Sequence, residues 1–431
     1  MQRRTFLSLL ALPAIAQFLQ ACGSDSGSQN NVNNGAGRSS LRGLAPHTTA
    51  GPTDAAQAST AINAFAQDLF DRLVAVDPTA NLVFSPASIA VALTMTAVGA
   101  RGTTVAEMNS VLHIENDGTI DRSINGVATA LSNANRTRDN SADGGTGTSS
   151  VQLTIANSLW GQSGLSFEQA FLDVLSSEYD AALELVDYRT DPEAARAAIN
   201  EWVNTQTHER IPELLAKGTI TSDARLTLVN AIYLKANWDT AFDPTLTVDA
   251  PFHAPAGDVS VKMMHTERDL AYAEGTDWQA VNIPYVFGVL AFTVAVGDGT
   301  LPTGDEVFAA LAERPVDLGM PRFDIGTSIN LTDVLAGMGM PTAFTDRADF
   351  SGITQTEPLA IGAVIHQANI TVDEVGTEAA AATAVVMVGT SAPVDPPVTV
   401  TVDRPFTFWL RETTTGTIVF MGRVNDPTTG R

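Results

Sequence analysis

The chain has 431 residues, 44% of them apolar, with 24 basic side chains against 48 acidic ones and a formal net charge of −24. That is enough chain for one large domain or two smaller ones with a sizeable core. The acidic field repels nucleic acid and anionic membrane surfaces, and no basic run beyond Arg3-Arg4 suggests a phosphate-backbone binder.

Arg3 and Arg4 precede an apolar run from Phe6 to Phe18, which ends in Leu19-Gln20-Ala21-Cys22. A charged start, a short apolar stretch and a small residue before a cleavage point predict an export leader over residues 1–21. The Leu-x-Ala-Cys ending resembles a bacterial lipoprotein box. It predicts a lipidated Cys22, an anchor in the lipid bilayer, and a place on the periplasmic or extracellular side. Arg3-Arg4-Thr5-Phe6-Leu7 also resembles a twin-arginine export signal. Cys22 is the one cysteine of the chain, so the body has no disulfide, no thiol nucleophile and no Cys-based metal site. Residues 22–55, rich in Ser, Gly, Asn and Thr, read as a disordered tether, and one folded domain is expected over 56–431.

From Ala56 the pattern changes. Ile62, Phe65, Ala66, Leu69, Phe70 and Leu73 recur at helical spacing. Leu82-Val83-Phe84 reads as a short strand, and Ser85-Pro86 opens a helix whose apolar run spans Ile89 to Val98. Thr103 is placed to cap the next helix. Asn135 to Ser150 contains no large apolar residue and reads as a surface loop. An alternating strand follows from Val151, leading to Trp160. Helices are expected over Phe167–Tyr179 and from Asp191-Pro192, and an apolar strand over Leu226–Leu234. After Pro251 strands dominate, at 260–265, 270–273, 278–284, 290–296 and 366–373. Short helices fall at 306–312 and 331–338. Phe406–Arg411 and Thr417–Val424 read as a terminal hairpin. Helices first and strands later, without a βαβ rhythm, predict an α+β fold.

Enzyme signatures are sparse. No G-x-S-x-G elbow, H-E-x-x-H pair or phosphate-binding glycine loop occurs, and the six histidines are scattered. The five tryptophans lie in apolar segments, as core residues would. The chain reads as a non-enzyme that needs no cofactor and no metal.

Several stretches carry a family resemblance by their order and spacing. They are Val83-Phe-Ser-Pro-Ala-Ser-Ile-Ala, Leu153-Thr-Ile-Ala-Asn, Ile199-Asn-Glu-Trp-Val and Leu228-Val-Asn-Ala-Ile-Tyr-Leu-Lys-Ala-Asn-Trp. They continue with Asp373-Glu-Val-Gly-Thr-Glu-Ala-Ala-Ala, Pro405-Phe-Thr-Phe and Val419-Phe-Met-Gly-Arg-Val. Over about residues 57–427 the chain resembles the serpins, inhibitors that trap serine proteases by a large conformational change. The resemblance implies N-terminal helices on a large mixed central sheet, smaller sheets, and an exposed reactive loop at about 374–396. It implies a monomer that forms a covalent 1:1 complex with a serine protease. The protease cuts one loop bond, the loop enters the sheet as a new strand, and the acyl-enzyme is distorted before it can deacylate. The rival reading is a surface-anchored serpin scaffold that binds without trapping.

The residues suit the implied insertion. The hinge is Glu374, Gly376, Thr377, Glu378, Ala379, Ala380, Ala381 and Ala382. From Thr377 one pleat face carries Thr377, Ala379, Ala381, Thr383, Val385 and Met387, with no charge, while Glu378 falls on the other. Small side chains lower the ordering cost, and no proline removes a ladder donor. Counting along the loop as in the family places the reactive bond between Thr390 and Ser391. A loop a few residues longer than the family's common length leaves Met387, Val388 and Gly389 as alternatives. The resemblance also assigns Ser85, Ser88, Asn157 and His366 to a polar cluster beneath the sheet, and Asn230 and Trp238 to the motif near the loop's entry.

Overall fold

The computed structural model of the chain describes residues 30–34, 38–115, 118–140, 147–377 and 396–430. Helices fill most of the first part and strands most of the rest, in an α+β arrangement. Helix Ala56–Val76 buries Ile62, Phe65, Ala66, Leu69 and Leu73, the stripe that a 3.6-residue period places on one face. Helix Pro86–Ala97 is buried almost all round. The hydroxyl of Ser85 accepts the Ser88 amide at 3.2 Å to cap its start, and Pro86 occupies the first turn, where no amide partner is needed.

Among the described residues the central sheet has nine strands. In spatial order they are Asn30–Asn34, Arg38–Arg42, Leu183–Val186, Thr148–Gln162, Leu226–Asn237, Gly376–Thr377, Ala363–Val372 and Phe323–Asn330, with Arg136–Asp139 also paired to Thr148–Gln162. It is mixed: Leu226–Asn237 runs antiparallel to Thr148–Gln162 and parallel to Ala363–Val372. Alternate residues of Leu226–Asn237 feed two cores. Leu228, Ile232, Leu234 and Ala236 join the main core, while Val229 and Ala231 pack with Trp160, Tyr188, Ile199 and Val203 beneath helix Pro192–Gln206. With both faces covered, the strand is a continuous apolar run.

A second sheet, nine-stranded among the described residues, holds Phe406–Glu412 and Ile418–Val424, paired as the expected hairpin, with Leu82–Phe84 at its edge. Gly422 lies opposite Val83, and a Cβ there would sit 2.2 Å from the Leu82 carbonyl oxygen and 2.6 Å from the Phe408 ring. Only glycine lets these strands close.

Three sequence expectations differ from the structure. Thr103 does not cap its helix, which runs Gly102–Val111 with Arg101 at the N-cap. Within the surface loop expected over 135–150, Arg136–Asp139 pairs with Thr148–Val151 as a hairpin. All four residues of Arg136–Asp139 are exposed, so no buried face imposes an apolar alternation. The tether expected over 22–55 ends sooner. Arg38–Arg42 pairs with Leu183–Leu185, and Leu41 and Ala50 are buried. The amides of Leu44 and Ala45 donate to Asp173, and that of Ala50 donates to Asn125. This segment is fixed through its backbone, which composition does not reveal.

Candidate functional site

The site lies where two central strands part. Leu226–Asn237 and Ala363–Val372 pair from Thr227 opposite Ala363 to Ala231 opposite Gln367. Above that point Gly376–Thr377 lies between them, with Thr377 opposite both Val372 and Ala236, and Gly376 opposite Asn237. The central sheet thus has a mouth, and Gly376 and Thr377, from the segment expected to be the hinge, occupy it.

A tight turn delivers the hinge there. The Asp373 amide donates to the Gly376 carbonyl at 3.0 Å, and the Asp373 carboxylate accepts the amides of Val375 and Gly376 at 2.8 and 3.1 Å. Each carbonyl along the turn is also held. Asp373 O accepts the Trp238 indole N–H at 2.8 Å, Glu374 O the Phe242 amide at 2.9 Å, and Val375 O the Trp238 amide at 2.9 Å. Trp238 stacks on Tyr285 with ring centroids 4.4 Å apart, which fixes the indole. The Glu374 side chain is 5% exposed. Its carboxylate accepts Arg322 Nε at 2.7 Å, the Arg322 terminal nitrogen, and the Thr247 hydroxyl at 2.5 Å. Burial pushes this carboxyl up, but the bonds from Arg322 and Thr247 outweigh it and hold the group below the usual range. Gly376 is required for contact: a Cβ there would lie 1.9 Å from the Ala236 carbonyl oxygen.

Below the mouth a polar cluster joins helix Pro86–Ala97 to strands Leu226–Asn237 and Ala363–Val372. The Ser85 amide donates to His366 Nε2 at 3.0 Å. Nε2 is therefore the bare nitrogen, and Nδ1 donates its proton to Asn230 Oδ1. The Ser88 hydroxyl donates to Asn157 Oδ1 at 2.9 Å, and Asn157 lies opposite Asn230 across the sheet. Ser85, Ser88, Asn230 and His366 are buried, and burial lowers the His366 pKa to about 3. His366 is neutral near pH 7 for that reason.

Of the residues singled out from sequence, Ser85, Ser88, Asn157, Asn230 and His366 thus come together in one network. Trp238, Glu374, Gly376 and Thr377 come together at the mouth. Glu378, Ala379, Ala380, Ala381 and Ala382 lie outside the described residues, as do Met387, Val388, Gly389, Thr390, Ser391 and Cys22. Sequence reasoning missed Arg322, Thr247 and Tyr285. The Asp373 turn had a local signal in Asp-Glu-Val-Gly; the others are far from the hinge along the chain. Among the described residues no group of three His, Cys, Asp or Glu side chains is placed to hold a metal.

The family model described as serpin (serine protease inhibitor) matches residues 60–427. The chain belongs to the serpin family. A serpin-like protein of Thermococcus kodakarensis is 38% identical over 382 residues, 86% of each chain. Leukocyte elastase inhibitor of Sus scrofa is 34% identical over 86% of this serpin and 100% of its own length. Uncleaved ovalbumin shares the fold, with a TM-score of 0.76 at 23% identity over 86% of this serpin and all of its own chain. That family is one of serine protease inhibitors, and this serpin is a non-enzyme on that ground.

The expected lipid-bilayer anchor through Cys22, and with it a membrane-attached location, is corrected here. Among the described residues no helix is long and apolar enough to cross a membrane. The lone cysteine precedes the family match, which begins at residue 60. Leukocyte elastase inhibitor and ovalbumin are matched over their whole length by 86% of this chain, so the likeness brings no anchor with it. The lipoprotein reading of the leader rested on four residues, Leu19 to Cys22, and goes with it.

Proposed function

We propose that this serpin is an irreversible suicide-substrate inhibitor of serine proteases that traps the acyl-enzyme by inserting its loop into the central sheet. The observation that carries this reading is the mouth. Leu226–Asn237 and Ala363–Val372 part above Ala231 and Gln367, and Gly376–Thr377 sits paired to both. A strand continuing from Thr377 would find an unpaired edge on each side. The uncharged face of residues 377–387 suits the buried interior such a strand must enter.

Insertion needs a driving force outside the loop. Each new ladder bond is worth roughly 0.5–1.5 kcal/mol net, whereas ordering each residue costs about 1–2 kcal/mol. The gain therefore comes from the rest of the sheet, where closing the mouth repairs the parted strands. The polar cluster below it resists that opening until the loop arrives.

The reactive bond is read as Thr390–Ser391, with Met387, Val388 and Gly389 as alternatives upstream. No residue from Val386 to Ser391 is basic or aromatic. A pocket with a buried carboxylate would be left unpaired, and a deep aromatic slot unfilled. Elastase-like or subtilisin-like proteases fit these residues. Incubation with pancreatic elastase, subtilisin and trypsin tests the reading. A complex that survives boiling in detergent, formed with elastase or subtilisin in preference to trypsin, is expected. Cleavage of the loop with no such complex would point instead to a scaffold that does not trap.

A further inference from the structure

We infer that Tyr285 is a positioning residue that latches the first hinge residue inside the sheet before any protease arrives. The Tyr285 hydroxyl lies 2.5 Å from Thr377 Oγ1. Both residues are buried, Tyr285 at 0% and Thr377 at 1% exposure, and among the described residues neither hydroxyl has another hydrogen-bond partner. The residue is held through its ring and its backbone. It stacks on Trp238, the two residues form an isolated β-bridge, and the Tyr285 amide donates to the Leu290 carbonyl at 3.0 Å. The phenol is therefore a rigid post standing where the hinge enters.

Burial pushes the Tyr285 hydroxyl far above its ordinary pKa, so it stays protonated at every working pH and the bond does not titrate. The pair has a specific asymmetry. With both hydroxyls present, each satisfies the other. With one removed, the survivor is a buried polar group without a partner whenever Thr377 is seated, and water can satisfy it only when Thr377 leaves. The latch therefore biases the hinge toward the seated state. Insertion then starts from a first rung already in place, and no chain end has to find the mouth.

This deepens the loop-insertion reading and rests on it for its purpose, but the latch can be tested without a protease. The measurement is hydrogen exchange of the peptide covering residues 373–380 in the uncleaved full chain. Tyr285→Phe keeps the stacked ring and removes only the oxygen. It is expected to speed exchange there about tenfold or more. Thr377→Val should do the same, and Thr377→Ser should match the wild type. The double variant Tyr285→Phe/Thr377→Val removes both hydroxyls and should return toward wild-type exchange. A packing role alone predicts two losses that add. Exchange in Tyr285→Phe within twofold of the wild type, or additive effects in the double variant, would overturn the latch. Thermal melting of each variant checks that the fold is kept. Protease trapping is scored separately: a latch without trapping would count against the proposed function alone, and trapping without a latch against Tyr285 alone.

Discussion

Acidification should loosen this protein through one buried ring. His366 has a pKa of about 3 in the folded chain, against an ordinary value of 6.5, and burial is the cause. Its bare Nε2 accepts the Ser85 amide and its Nδ1 proton goes to Asn230. A second proton would set two N–H groups against each other and place a charge where no carboxylate bonds the ring. Because the folded pKa is depressed, the neutral ring contributes stability that is fully present above pH 6.5. That contribution is lost as pH falls from 6.5 toward 3, where the unfolded chain binds a proton that the folded one refuses. At about 1.4 kcal/mol per unit, the loss by pH 4 is roughly 3 kcal/mol. His366→Leu removes the titration, at a separate cost for the stranded Ser85 amide and Asn230 side chain. Denaturant midpoints at pH 7, 5.5 and 4 should therefore fall more steeply for the wild type than for His366→Leu, by about 3 kcal/mol over the range. All other titrating groups are common to both proteins. Parallel pH profiles would refute the buried-neutral assignment.

Two further outcomes test the mouth. Gly376→Val places side-chain atoms against the Ala236 carbonyl oxygen, 1.9 Å from the first of them; the two-residue strand should lift out at about 1–3 kcal/mol, and the ratio of trapped complex to cleaved inhibitor on a denaturing gel should fall. Arg322→Ala strips a buried carboxylate of its cation, the Arg322 side chain itself being 44% exposed. A loss of about 1–3 kcal/mol in the denaturant midpoint is expected, with Glu374 titrating at higher pH than in the wild type.

Much of this was legible in the chain because it depends on local order. The stripe Ile62 to Leu73, the Ser85-Pro86 helix start and the apolar run from Leu226 follow from periodicity and capping. The cluster of Ser85, Ser88, Asn157, Asn230 and His366 was reachable only through family resemblance, since periodicity sets a strand's faces and not which polar residues meet. Arg322, Thr247 and Tyr285 carried no signal. They act on Glu374 and Thr377 from 52, 127 and 92 residues away along the chain, and only the folded sheet brings them to the hinge. The segment from Arg38 to Ala50 was missed for a related reason. Its composition is that of a linker, and it is tied down by backbone amides rather than by an apolar stripe.

Loop insertion is tested most directly by heat. A single nick between Val385 and Thr390 would free the loop to become a strand of the central sheet. Melting curves of the intact and nicked protein then decide the matter. Insertion predicts that the nicked form melts well above the intact one, reversing the ordinary effect of proteolysis. A nicked form that melts at or below the intact temperature would contradict the mechanism.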